Sequence, residues 1–199
     1  MPTGINMNLN EPVYDYDSFY KWMQELAKTG KTSGDEQTQV LADFTGLNRR
    51  RMSRLNKTLI LNNELKEALD TISERQEWVV ITEAWCGDSA QCLPVIGKIA
   101  TYSEKITLKI VLRYKNSELM EQYLTNGSKS IPKLIAFNSN AKELFTWGPR
   151  PVPAQELLMN WKKNPAGRNW EAFETELHTW YARDKSKTIQ EEFVNLLSK

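Results

Sequence analysis

Two cysteines are the side chains of this 199-residue sequence that are best suited to covalent chemistry. Cys86 follows a short apolar run at residues 79–81 and precedes a helical stretch over residues 88–102. At the amino terminus of a helix, the helix dipole and the unpaired backbone N–H groups favour a thiolate and can lower a cysteine pKa from about 8.5 towards 7. Because the thiolate is the nucleophilic form, we predict that Cys86 is a reactive nucleophile. The alternative is a buried cysteine that happens to end a strand.

The residues beside Cys86 are consistent with a reactive thiol. Gly87 permits close approach of a substrate to the backbone, and Trp85 supplies a flat apolar wall beside the sulfur. Two cysteines are too few for the disulfide framework of a secreted domain, and one histidine excludes a His-rich metal site. We therefore expect thiol chemistry at a single cysteine, with no bound metal.

Cys92, six residues after Cys86, is a weak candidate for a disulfide partner. Six residues of helix rise about 9 Å and rotate by about 240°, whereas the Cα atoms of a disulfide are seldom more than about 7 Å apart. Leu93, Ile96 and Ala100 mark an apolar stripe beside Cys92. We therefore predict that Cys92 packs in the core as a small apolar side chain.

The elements that position Cys86 are predicted from the spacing of apolar residues. Short apolar or alternating runs in the middle of the chain predict strands, with helical stretches between them. The predicted strands cover residues 79–81, 106–112, 133–137 and 143–147, and the predicted helices cover residues 88–102 and 117–124. The last two strands form a hairpin across a turn at residues 138–141. This order predicts an α/β fold with a sheet of mixed direction.

Both ends of the chain have the apolar spacing of helices. Phe19, Met23 and Leu26 follow a helical period near the start, and Phe173 and Leu177 follow one near the end. We therefore predict an amino-terminal helical extension over residues 1–75, an α/β core over residues 76–164 and a carboxy-terminal helical extension over residues 165–199.

The sequence Trp-Cys-Gly-Asp-Ser at residues 85–89 resembles the Trp-Cys-Gly-x-Cys active site of the thioredoxin-like superfamily. Other positions agree with that family in the same order along the chain. Pro94 matches the proline of its active-site helix, Ile131 and Pro132 match its cis-proline dipeptide, and Gly148 matches the glycine after its last strand. The chain is also similar to a bacterial subgroup that carries Trp-Cys-Gly-Asp and Trp-Gly-Pro-Arg-Pro motifs.

The resemblance runs from about residue 77 to residue 163 and implies a thioredoxin-like three-layer α/β sandwich. Additional helices are expected at both termini, with the amino-terminal helices replacing the first strand of the family. In that fold the loop of Ile131 and Pro132 faces the reactive sulfur and binds an extended substrate. Arg150 lies near the same end of the sheet, where it is expected to stabilise the thiolate, to bind a carboxylate of a thiol cofactor or to pair with a surface acid.

Two departures from the family pattern concern the chemistry. Ser89 stands in place of the second cysteine, one residue after Asp88. A serine hydroxyl can donate a hydrogen bond to a Cys86 thiolate, but it cannot attack a mixed disulfide. Val80 stands where thioredoxins carry a buried acid, and we do not transfer the role of that acid to Glu83.

The resemblance implies a thiol–disulfide oxidoreductase of cell redox homeostasis that acts through Cys86 as a monothiol. Its expected substrate is a disulfide-containing protein or a small-molecule disulfide. A low-molecular-weight thiol is the expected co-substrate, because an external thiol must resolve the mixed disulfide, and no cofactor is expected. The alternatives are a non-catalytic thioredoxin-fold module that binds partners through this face and a redox sensor. An iron–sulfur cluster shared between subunits is a minor alternative, since each chain would supply one ligand.

Charge and hydropathy argue against two classes of partner. The 26 Lys and Arg against 25 Asp and Glu give a net charge of +1, which provides no bulk attraction to nucleic acid or to an anionic membrane. The densest basic run, residues 49–57, lacks aromatic residues and is predicted to be a solvated helix face. No apolar run approaches the roughly 20 residues that span a bilayer, and no signal peptide pattern is present, so we expect a soluble cytoplasmic protein. His178 is expected to be exposed or hydrogen-bonded.

Overall fold

A mixed β-sheet organises the part of the chain that a computed structural model describes, residues 9–198. Within those residues the sheet has five strands: β1 (Val13–Tyr14), β2 (Gln76–Thr82), β3 (Ile106–Leu112), β4 (Lys133–Asn138) and β5 (Glu143–Trp147). Their order across the sheet is β1-β3-β2-β4-β5. The central pair, β2 and β3, is parallel, and the other neighbours are antiparallel.

Helices precede, connect and follow the strands. They are α1 (Tyr16–Lys28), α2 (Gln39–Thr58), α3 (Asn63–Asp70), α4 (Gly87–Tyr102), α5 (Ser117–Gln122), α6 (Val152–Lys163), α7 (Trp170–Asp184) and α8 (Lys187–Leu197). Several begin at a side chain that accepts a hydrogen bond from a backbone N–H of the first turn, as Asp15 does for α1 and Asn169 does for α7.

The central strand β2 is buried on both faces, as its apolar run predicted. On one face, Trp78 packs against helical residues and stacks on Phe193 of α8, with ring centroids 5.4 Å apart. On the other face, Val79 and Ile81 pack in a separate cluster with Met120 of α5. Helices therefore cover both faces of the sheet, and the predicted three-layer α/β fold with additional helices is confirmed.

The sequence prediction missed the first strand. The two residues Val13 and Tyr14 pair antiparallel with Val111 and Ile110 at the edge of the sheet, so the helices of the amino-terminal extension do not replace every strand there. A two-residue strand is too short to produce a period-2 pattern, which explains why the sequence showed no sign of it.

Candidate active site

Cys86 lies where β2 passes into α4, and its side chain caps the helix. The sulfur accepts a hydrogen bond from the backbone N–H of Ser89 at 3.5 Å, and the thiol donates to the carbonyl oxygen of Ile131 at 3.3 Å. The Ile131–Pro132 peptide bond is cis. Cys86 therefore lies at a helix amino terminus opposite the proline-bearing loop, as predicted.

Gly148 allows the end of β5 to pack closely on that loop. Its φ of +108° lies in the region that favours glycine, and a Cβ at this position would come within 2.3 Å of the carbonyl oxygen of Pro132. A side chain at residue 148 would therefore push the loop that contacts Cys86.

The expected low pKa of Cys86 is wrong for this arrangement. The residue is only 7% exposed, and burial raises the pKa of its thiol to about 11, with the nearby Asp88 carboxylate adding to the increase. Hydrogen bonds from Ser89 and the charge of Arg150 act in the opposite direction and are outweighed. Desolvation of the sulfur disfavours the charged form and outweighs the effect of the helix dipole.

Arg150 forms a buried ion pair with Asp88 of the cysteine motif. Its Nη2 is 2.7 Å from Asp88 Oδ2, while the Tyr181 hydroxyl donates to Asp88 Oδ1 at 2.8 Å. Arg150 Nη1 donates to Gln155 at 2.9 Å. Of the three roles expected for Arg150, the structure shows pairing with an acid. That acid, Asp88, is buried beside Cys86 and not at the surface.

Ser89 and Trp85, the two ends of the Trp-Cys-Gly-Asp-Ser motif, have different surroundings. Ser89 is buried, and its hydroxyl lies 2.7 Å from the hydroxyl of Thr82. Trp85 is partly buried, and the guanidinium of Arg113 lies over its ring, 5.0 Å from the centroid. Trp85 therefore combines an apolar wall with an adjacent cation.

Cys92 lies in the core, as its apolar neighbours predicted. It is 1% exposed, burial raises its pKa well above the usual value, and its Sγ is 3.9 Å from the Tyr181 hydroxyl. Both cysteines are free thiols in the described part of the chain.

Helices from the two terminal regions enclose the sulfur. A cavity of about 320 Å³ has Cys86 in its lining, together with Phe44 and Arg51 of α2 and with Trp170 and His178 of α7. None of these four residues was predicted from the sequence to lie at the site. They are remote in sequence from the cysteine, and helical periodicity carries no signal for which helices meet at a given position.

His178 lies directly beside the amino terminus of α4. A Cβ at Gly87 would be 3.0 Å from His178 Nε2, and the amide of Gln91 lies 3.3 Å from His178 Nδ1. The expected hydrogen-bonded side chain is confirmed, but its position at the site was not predicted. Burial and the charges of Arg51 and Arg150 lower the pKa of His178 to about 4, so the ring is neutral at pH 7.

One member of the basic run is not solvated as predicted. Arg51 is partly buried, its Nη1 donates to Asn48 at 2.8 Å, and the same atom would lie 3.4 Å from a Cβ at Gly87. Burial lowers the pKa of this guanidinium. The helix face prediction was therefore wrong for Arg51, which faces the site.

Glu83 does not contact the sulfur. Its buried carboxylate accepts hydrogen bonds from the Ser33 hydroxyl and from the backbone N–H of Tyr114, the latter at 2.9 Å. Burial raises the pKa of Glu83, and Val80 is fully buried in β2. These contacts give Glu83 a local structural role at the end of the strand.

Two further properties concern the residues that the structure describes. Among residues 9–198, no group of three or more His, Cys, Asp or Glu side chains is arranged to hold a metal ion. Over the same range, no helix combines the length and the apolar character needed to cross a membrane.

The fold and the capped cysteine define a thioredoxin-like protein. Residues 34–163, more than half of the chain, match the thioredoxin family, and the chain belongs to that family. Among curated proteins, none matches the sequence.

Two solved structures share the fold. One is a protein of unknown function from Pseudomonas aeruginosa, with 18% identity and a TM-score of 0.56 over 88% of this chain and 96% of that chain. The other is an HIV epitope scaffold, with 19% identity and a TM-score of 0.54 over the same shares of the two chains.

Proposed function

We propose that this protein is a thiol–disulfide oxidoreductase in which Cys86 is the single nucleophile. The observation that carries the proposal is the contact between the Cys86 thiol, at the amino terminus of α4, and the backbone carbonyl of Ile131. A thiol at a helix amino terminus beside the cis-proline loop is positioned to attack a disulfide that binds along that loop.

The reaction is a disulfide exchange with balanced atoms. The sulfur of Cys86 attacks one sulfur of the substrate, the substrate S–S bond breaks, and the Cys86 proton ends on the departing thiol. Ser89 cannot resolve the resulting mixed disulfide. A low-molecular-weight thiol from outside therefore attacks the substrate sulfur of the mixed disulfide. The bond to Cys86 breaks, a disulfide forms between the external thiol and the substrate half, and the proton of the external thiol ends on Cys86. A bacterial cytoplasm, with its reduced thiol pool, would support this step without a bound cofactor.

The terminal helical extensions have a role in this proposal. The amino-terminal extension, residues 1–75, supplies α2, and the carboxy-terminal extension, residues 165–199, supplies α7. Both helices contribute to the cavity at Cys86, whereas the core, residues 76–164, supplies the cysteine and the proline loop.

One observation favours a second candidate, a thioredoxin-fold module that binds partners or senses oxidants without turnover. Burial raises the pKa of Cys86 to about 11, so the thiol is almost entirely protonated at pH 7. A protonated thiol is a poor nucleophile, and such a site could retain its binding face after its redox cycle is lost.

Turnover distinguishes the two candidates. The protein is mixed with bis(2-hydroxyethyl) disulfide and excess N-acetylcysteine at pH 8.5, and loss of the disulfide is followed by chromatography. We expect catalysis by the wild type and by Cys92→Ala, and only the uncatalysed rate with Cys86→Ala. Catalysis that survives in Cys86→Ala contradicts the assigned nucleophile, and a wild type that never exceeds the uncatalysed rate supports the binding module.

A further inference from the structure

The cavity at Cys86 restricts what can reach the sulfur. Cys86 is 7% exposed, and residues of α2 and α7 line the cavity beside it. The cavity volume of about 320 Å³ lies in the range of small-molecule sites, which is roughly 300–1,000 Å³. A space of this size beside a buried sulfur favours a small disulfide over one on the surface of a folded protein.

A second cavity continues from the first along the groove between α2 and α7. It measures about 550 Å³ and shares Phe44, Arg51, Glu174 and His178 with the cavity at the cysteine. The two together form a path that starts at the surface and ends at Cys86, which suits an elongated small molecule with its reactive sulfur at one end.

Cations outnumber anions around the sulfur. Three arginines line the inner cavity, Arg51, Arg113 and Arg150, against two carboxylates, Asp88 and Glu174. Asp88 is paired with Arg150. Within residues 9–198, neither Arg51 nor Arg113 has a carboxylate within ion-pair distance. Glu174 attracts Arg51 without reaching ion-pair distance, and each guanidinium already donates one hydrogen bond, Arg51 to Asn48 and Arg113 to the Lys129 carbonyl. The other N–H groups of the two arginines are left for a ligand.

Arg51 and His178 pack side by side against Gly87. The Arg51 guanidinium lies 3.4 Å, and His178 Nε2 lies 3.0 Å, from the position that a Cβ at Gly87 would take. If the amide of Gln91 donates to His178 Nδ1, the neutral ring carries its proton on Nε2, the ring nitrogen on the side of Gly87 and Arg51. A guanidinium and an N–H donor side by side suit the two oxygens of a carboxylate.

We propose that the site takes acidic low-molecular-weight disulfides, whose carboxylate binds between Arg51 and His178 while the disulfide reaches Cys86. This inference rests on the proposed function and names its substrate class. In the exchange, the substrate S–S bond breaks, a Cys86–S–S bond forms, and one acidic thiol leaves with the cysteine proton.

Three disulfides of matched length and different charge test this inference. They are 3,3′-dithiodipropionate, which is anionic, bis(2-hydroxyethyl) disulfide, which is neutral, and cystamine, which is cationic. The rate of mixed-disulfide formation on Cys86 is followed by intact-protein mass, and each rate is divided by the rate of the same reagent with N-acetylcysteine amide. We expect the normalised rate of the anion to exceed that of the neutral reagent by about tenfold, and cystamine to be slowest.

Two matched variants of α2 test whether Arg51 causes the preference for the anionic disulfide. Arg51→Gln is expected to reduce the advantage of the anion to about threefold or less, whereas Arg50→Gln, at an exposed position of the same helix, leaves it unchanged. Circular dichroism checks that each variant is folded. If Arg51→Gln does not fold, Arg113→Gln is measured instead. It is expected to reduce the same advantage, because Arg113 also lines the cavity.

The outcomes separate this inference from the proposed function. Equal normalised rates for all three reagents, or a full preference retained in both arginine variants, overturn the acidic substrate class and leave the nucleophile in place. A protein disulfide that reacts faster than the anionic reagent, with native disulfide-bonded insulin as the probe, also overturns it. No adduct with any reagent means that the proposed function itself fails.

Discussion

Cys86, which caps α4, and Cys92, which lies within it, have similar burial but different surroundings. Cys86 and Cys92 are 7% and 1% exposed, and burial raises the pKa of both thiols. Cys86 contacts the Ser89 N–H and the Ile131 carbonyl and borders a cavity, whereas Cys92 lies in the core near the Tyr181 hydroxyl. If Cys86 is the nucleophile, as proposed, then access and polar contacts, rather than a low pKa, distinguish it from Cys92.

The largest effect that tests this comparison is the dependence of alkylation on pH. Because the pKa of Cys86 is raised to about 11, the thiolate fraction is small at pH 7 and grows as pH rises towards that value. We expect the rate of iodoacetamide modification at Cys86 to increase by about tenfold per pH unit, or roughly 100-fold between pH 7 and pH 9. Peptide mapping after each time point measures the rate.

Cys92 provides the internal control for this series. It is expected to stay unmodified at every pH at which the protein remains folded, because it has no path to solvent in the core. A rate at Cys86 that levels off above pH 8 would show that its pKa is low and that the raised value is wrong.

A smaller effect is expected from the acid beside the sulfur. The Asp88 charge contributes to the raised pKa of Cys86, whereas Arg150 opposes it. Asp88→Asn removes the first charge and leaves the second, so the Cys86 thiolate becomes more populated. We expect iodoacetamide to react with this variant about tenfold faster than with the wild type at pH 8.

The double variant Asp88→Asn, Arg150→Gln is the control for this substitution. It removes both members of the ion pair and leaves no buried unpaired charge, so it also covers the case in which the single variant does not fold. Its rate is expected to fall below that of Asp88→Asn, because the favourable Arg150 charge is gone. Equal rates for the single variant and the wild type would mean that Asp88 does not act on Cys86.

More of the fold than of the candidate site could be predicted from the sequence. The apolar run of β3, residues 106–112, has the same bounds in the structure, since alternation and burial are local properties of a strand. The placement of Cys86 opposite Ile131 followed from the resemblance to a family of known fold. The two-residue β1 left no local pattern and was missed.

Neither the residues that line the cavity nor the direction of the Cys86 pKa shift could be predicted from the sequence, for a common reason. Both depend on which distant segments cover the cysteine. Arg51 and His178 lie on α2 and α7, and nothing in the periodicity of either helix indicates that they meet at Gly87. Burial of the sulfur raises the pKa of Cys86, whereas the local sequence predicts only the opposing effect of the helix dipole.

The most direct test of the central claim is the location of the first mixed disulfide on the folded protein. The native wild type is incubated with bis(2-hydroxyethyl) disulfide at pH 8.5, quenched in acid, and mapped by mass spectrometry. We predict one adduct per chain, on Cys86, with Cys92 recovered as a free thiol. An adduct on Cys92 while Cys86 stays free, or a protein that gains none although both thiols react after unfolding, would contradict the assignment of Cys86 as the nucleophile.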